Sequence, residues 1–139
     1  MPQRIVPYLL YEDVAAAIEW LTRAFGFEEV LRVTGEEGDV THAELRLGDE
    51  SVFLGDPGDD YRGPARLGAR TAQVHVHVDD VDAHYERAVA AGAEIRQAPE
   101  DMPYGDRRYD AYDLEGQLWS FATRRREVAP ADWGAETPA

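Results

Sequence analysis

Two histidines stand two residues apart, His75 and His77, in the run TAQVHVHVDD that spans residues 71 to 80. Imidazole nitrogens bind divalent transition ions and move protons near neutral pH. In an extended strand, residues two apart point to the same face. Gln73, His75 and His77 therefore share one face, and Val74, Val76 and Val78 the other. Two histidines on one strand need a third ligand from elsewhere. His42 and Glu44 in THAELR are candidates, because with Arg46 they share a face opposite Ala43 and Leu45. The commoner role for such histidines is to line a polar pocket or to satisfy buried partners by hydrogen bonding. That pocket-lining role is the one taken for His75 and His77, with no metal expected; His84 is expected at the surface of a helix.

A second set lies in YGDRRYD: Arg107, Arg108 and Asp110. Arginine grips a ligand carboxylate bidentately, although an arginine–carboxylate pair more often holds a loop. Glu44 and Asp110 fall at matching places in two similar stretches. Inside one pocket they would serve as general acid and base or neutralise a cation; as solvated strand charges they would do neither. Tyr8, with Tyr109 or Tyr112, offers stacking surface, against the usual role of an aromatic residue in a core.

Composition removes other chemistries. There is no cysteine, and all 14 cationic side chains are arginines. Thiolate catalysis, disulfides, cysteine zinc sites and lysine Schiff bases are excluded. The segment GDPGDD lacks the spacing of a calcium-binding EF-hand loop. Ser51 and Ser120 lack a nucleophile-elbow context, and no glycine-rich phosphate loop occurs. The formal charge of −14 argues against nucleic acid and anionic membranes as partners. It favours cationic small molecules, although solubility is the more general role of such charge. No run approaches the ~20 apolar residues of a membrane span, and MPQRIVPYLLYEDV does not read as a signal peptide. A cytoplasmic location is expected.

The elements that must position these residues come in two copies. VPYLLYEDVAAAIEWLTRAFGFEEV, from Val6, and QVHVHVDDVDAHYERAVAAGAEI, from Gln73, each begin with a short strand. Each continues into an acidic pair ending in a helix N-cap, Asp13 or Asp80. Val14, Ile18, Leu21 and Phe25 mark one helical face; Val81, Tyr85 and Ala88 mark the other. Gly26 and Gly92 suit the left-handed turn after each helix. VTHAELRLGDESVFLG and RRYDAYDLEGQLWSFA then read as hairpins around Gly48-Asp49 and Glu115-Gly116. One domain over residues 1–125 is expected, with repeats at about 4–55 and 71–125. Residues 56–70 read as a linker, rich in glycine, proline and aspartate. Residues 126–139 form a loop-like tail in which Trp133 is the one candidate anchor.

On these features the chain resembles the vicinal oxygen chelate superfamily of glyoxalases, bleomycin resistance proteins and extradiol dioxygenases. The resemblance to small bacterial glyoxalase-like proteins rests on Pro7-Tyr8-Leu9, on the hairpin His42 to Asp49, and on Tyr104 to Thr123. It implies an α+β fold of two βαβββ modules whose curved mixed sheets form a ligand cup, with helices outside and two chains pairing as a homodimer. Val6, Tyr8 and Leu10 would line the cup, as would Gln73, His75 and His77. On the final strand Trp119 and Phe121 would face the helices, and Leu118 and Ser120 the cup. Metal-dependent members carry one ligand on each of four strands; by position those places are Val6, Leu54, Gln73 and Ser120. Two of them have no donor, and the other two are weak neutral oxygen donors.

No cofactor is therefore expected. The expected function is metal-independent binding of an aromatic or cationic drug or secondary metabolite, like the drug-sequestering bleomycin resistance proteins. The ligand-binding set is Tyr8, Leu10, His42, Glu44, Leu54, Gln73, His75, His77, Arg108, Asp110 and Ser120. One alternative is a glyoxalase-type lyase or isomerase with a displaced metal at His42, Glu44, His75 and His77. Another is a structural or regulatory module whose cup is filled by its own side chains.

Overall fold

Each helix begins where an aspartate caps it. In a computed structural model describing residues 3–139, Asp13 accepts the Ala16 N–H at 3.0 Å and Asp80 accepts the Ala83 N–H at 3.1 Å. Each such cap stabilises a helix by about 1 kcal/mol. Helix α1 (Val14–Phe25) ends at Gly26, whose φ of 82° is open to glycine without strain. Helix α3 (Val81–Ala90) ends less sharply, because Ala91 stays right-handed and the left-handed turn falls on Gly92. Met1 and Pro2, the first residues of the expected domain and of the N-terminal run, lie outside the described residues.

The strands form two four-stranded mixed sheets. In the first, β1 (Tyr8–Leu10) pairs in parallel with β4 (Glu50–Gly55). Strand β3 (Val40–Leu47) joins β4 antiparallel, and β2 (Glu28–Thr34) completes the order β1-β4-β3-β2. The second sheet repeats this order as β5 (Gln73–His77), β8 (Leu118–Arg124), β7 (Asp106–Tyr112) and β6 (Glu94–Asp101). This is the α+β arrangement of two βαβββ modules implied by the repeat. Bulges interrupt the β2–β3 and β6–β7 ladders and bend each sheet about its outer strands.

Two short elements were not legible as such. The expected linker contains α2 (Pro64–Leu67), begun by a proline and ended by Gly68 at φ 78°. The tail carries a 3-10 turn, Pro130–Trp133. Trp133 remains 42% exposed but packs on Tyr104, with ring centroids 5.6 Å apart.

The core joins the two modules. Phe25 of α1 lies 5.6 Å from the Trp119 ring and 4.7 Å from Phe121, both on β8. His84 corrects the expectation of a surface residue. It is partly buried at this seam, and its Nε2 lies 2.8 Å from the Phe25 carbonyl. That carbonyl only accepts, so Nε2 carries the proton and Nδ1 accepts from the Tyr109 hydroxyl at 2.5 Å. Burial, foremost, holds its pKa below the usual histidine value. Positions 81, 84 and 88 lie on one helical face, which is why His84 shares the inward side of Val81 and Ala88.

A second seam is polar. Asp113 is buried and accepts four hydrogen bonds: from the Tyr11 hydroxyl at 2.6 Å, Trp119 Nε1 at 3.0 Å, and the backbone N–H groups of Glu115 and Gln117. Next to it, Glu115 accepts the backbone N–H groups of Glu12 and Asp13 at 2.7 and 3.0 Å. The second hairpin thereby holds the loop that leads into α1. Burial raises the pKa values of both Tyr11 and Asp113.

Candidate functional site

Strand alternation sorts each sheet into a helix side and an outer, concave side. In the first sheet Ala43 and Leu45 are fully buried, which turns His42 and Glu44 outward. The two-residue turn at Gly48-Asp49 fixes the partners: Ala43 lies opposite Leu54, and Glu44 opposite Phe53. Leu54 is therefore 0% exposed on the helix side and does not reach the cup, contrary to the expectation from sequence. Phe53 takes its place, opposite Tyr8 on β1. The register of the hairpin was a readable signal for this, since Leu54 must share the inward face of Ala43.

Tyr8, His42 and Phe53 form one aromatic cluster. The Tyr8 hydroxyl lies 2.8 Å from His42 Nδ1, and Phe53 meets Tyr8 edge-on at 5.8 Å and His42 at 5.6 Å. The Tyr8 ring lies over Gly55, where an added Cβ would come within 2.6 Å of it. Leu31 and Val33 are paired with Glu44 and His42 and extend the same face. Leu10, two residues from Tyr8, extends it at the other edge. Exposure there is high for residues of these types: 52% for Tyr8, 38% for Leu10, 42% for Leu31 and 49% for Val33. Glu44 sets a carboxylate 4.0 Å from His42 Nε2.

The second sheet presents a different face. Val74 and Val76 pack against the core, which leaves Gln73, His75 and His77 exposed on the concave side. Trp119 and Phe121 are buried against the helices, so Ser120 faces the histidines; it is paired in register with His75. On β7, Tyr109 and Ala111 are inward, which places Asp106, Arg108 and Asp110 on the concave side. Asp110 is 1% exposed and paired with Arg96 at 3.1 Å and Arg108 at 3.4 Å. Arg108 also donates to the Tyr104 hydroxyl at 3.0 Å. Asp106 is 3% exposed and paired with Arg124. Three buried polar atoms in this neighbourhood have no hydrogen-bond partner among the described residues: Arg108 Nε, Asp110 Oδ1 and Ser120 Oγ.

The rings of His75 and His77 stand 5.0 Å apart at 78°. Partial shielding from water, then His77 and Arg108, hold the His75 pKa below the usual histidine value. The third group brought to these histidines is Asp106: one donor atom from each of the three lies within 4.8 Å of the others. His42 and Glu44 do not join them. They belong to the other sheet, and among the described residues they enter no such group. The displaced four-residue metal set is therefore not assembled within one chain. Glu44 and Asp110 likewise stand on separate sheets and do not form a carboxylate pair. Asp106 was missed in the sequence, although it is in step with Arg108 and Asp110 on the same strand face.

The profile of the Glyoxalase/Bleomycin resistance protein/Dioxygenase superfamily matches residues 4–121. The chain belongs to that superfamily. Uncharacterized proteins of Mycobacterium bovis and Mycobacterium tuberculosis are each 38% identical to it over 127 residues, covering 88% of this chain and 84% and 75% of theirs. Among solved structures, TioX from Micromonospora sp. ML1 is 38% identical with a TM-score of 0.72, covering 88% of this chain and 99% of TioX. A mutant of the fosfomycin resistance protein FosX from Listeria monocytogenes, complexed with Mn(II) and 1S,2S-dihydroxypropylphosphonic acid, aligns with a TM-score of 0.64. It is 17% identical over 87% of this chain and 90% of that one, a likeness of fold alone.

The superfamily's metal corners do not fit an ion here. Val6 has no donor, and Leu54 is an alkyl group sealed in the core. Gln73 offers an exposed carboxamide, and the Ser120 hydroxyl is buried beneath its neighbours. One neutral oxygen at each of two corners does not replace imidazole and carboxylate.

Proposed function

We propose that the protein binds an aromatic, cationic small molecule on the concave face of its first module and sequesters it without converting it, in the manner of a drug-binding resistance protein. The observation that carries this reading is the exposed Tyr8–His42–Phe53 cluster, flanked by Leu10, Leu31 and Val33. A planar ring system would stack on these faces. A positive charge on it would be drawn by Glu44 and by the surrounding field of a chain with formal charge −14. The metal corners, two without a donor and two with a weak neutral one, support binding rather than metal-assisted conversion.

Leu10, Leu31 and Val33 form an apolar surface that a single chain leaves uncovered. A second copy laid over it would close the cup, so the reading includes a homodimer. His75, His77, Arg108, Asp110 and Ser120 of the second module would then form polar wall around the ligand.

The test is a fluorescence titration of chelator-treated protein with bleomycin and with cationic intercalating dyes. Saturable binding that weakens with salt and falls about tenfold in Tyr8→Ala is expected, a loss of the size of one aromatic contact. The compound recovered from the complex should be unchanged in mass. Absence of binding across the panel, or turnover of the compound, would overturn the reading.

A further inference from the structure

The second module carries a donor set whose capacity to hold a metal ion the binding of an aromatic ligand leaves unexplained. We propose that His75, His77 and Asp106 bind a divalent first-row transition ion, of the zinc, cobalt or nickel class, at a place distinct from the superfamily's metal corners. The first support is geometric. Two imidazoles and one carboxylate bring donor atoms within 4.8 Å of one another, near enough that small side-chain rotations would set all three at the roughly 2.0–2.2 Å of a shared ion. The placement follows from the strands. His75 and His77 lie on one face of β5, and Ala122, the register partner of His77, separates it from β7 with only a methyl group. The site thus spans three strands of a paired ladder.

The donor types select the ion. Two imidazoles favour zinc, cobalt or nickel over magnesium or calcium, which prefer all-oxygen shells. Asp106 is already oriented: Arg124 takes one of its oxygens, and a carboxylate retains acceptor capacity on the other. Fixing a ligand from behind in this way is how metal sites are held in register. The arginines nearby are each paired with a carboxylate, Arg124 with Asp106 and Arg108 with Asp110, which Arg96 shares. Ser120, next to His75, adds a second observation. Its Oγ is fully buried on the same face and has no hydrogen-bond partner among the described residues, so a polar group there lacks a counterpart that a metal-bound water would supply. Three protein ligands leave a coordination position open. His75 and His77 also border a groove of about 400 Å³ between the modules, an entry path from solvent.

The experiment uses untagged, chelator-stripped protein titrated with Co(II) by visible absorption and with Zn(II) by calorimetry. One equivalent per chain is expected. Affinity should fall at least tenfold in His75→Ala and in His77→Ala, both exposed positions whose loss leaves the core intact. Asp106→Asn, similar in shape, should weaken binding and alter the Co(II) spectrum. His42→Ala, on the other sheet, should leave binding unchanged. The proposal is overturned if binding is not saturable, if either histidine variant binds as the parent does, or if His42→Ala weakens binding as much as they do. The drug titration is run with metal removed, so failure of one idea leaves the other standing.

Discussion

The two sheets share strand order, capped helix and hairpin, yet their concave faces differ. The first leaves aromatic and aliphatic side chains open to water. The second buries charge: Asp106 and Asp110 are nearly inaccessible and held by arginines. Duplicated topology fixes where side chains point, while residue type decides what each face does. One half keeps an open aromatic and aliphatic surface; the other is largely occupied by its own ion pairs, with the tail adding Trp133 against Tyr104.

Substitutions sharpen that contrast. The largest effect is expected at the joint between the halves. Asp113→Ala strips four donors of their acceptor, and a loss of about 3 kcal/mol or more is expected in urea unfolding, as for other buried networks broken on one side. Asp110→Ala comes next, leaving Arg96 and Arg108 without their carboxylate. About 2 kcal/mol is expected, below the range for fully buried pairs because Arg96 is half exposed. On the first face Tyr8→Ala should do the opposite, weakening ligand binding while the unfolding midpoint barely moves. If Tyr8→Ala unfolds the protein and Asp110→Ala does not, the contrast between the faces is wrong.

Acid provides a subtler probe of the joint. His84 has a folded-state pKa below the value of about 6.5 for a free imidazole, so the unfolded chain binds its proton more readily. Its contribution is fully present above that value and is lost as pH falls through the depressed one. The urea midpoint of the parent should drop between pH 7.5 and 5.5, with a shallower drop in His84→Gln. The smallest effect is expected at Arg46→Ala, which removes only an exposed pair with Glu28; about 0.5 kcal/mol or less is expected by the same unfolding assay.

Much of this architecture was legible in the sequence. The acidic caps, the helical spacing and the Gly48-Asp49 turn marked both modules, because each rests on local chemistry. The alternation in QVHVH and LWSFA also sorted inward from outward residues on β5 and β8. What escaped depended on cross-strand register or on a neighbour distant in sequence. Leu54 was placed by the family position of a metal corner instead of by its partner Ala43. His84 looked solvated until Phe25 and Tyr109 supplied its bonds, and Asp106 joined His75 and His77 only through the order of three strands.

The parallel pairing of β1 with β4, and of β5 with β8, bears on how the chain acquires its shape. The opening strand of each half waits for the closing one to be synthesised, and contacts so far apart slow the search. The first half has all its strands once Gly55 exists, but the Tyr11 hydroxyl has no acceptor until Asp113 follows. A ribosome-bound chain arrested between those points would hold a sheet whose anchoring hydroxyl is still wet, and that interval is when a chaperone would find it most accessible.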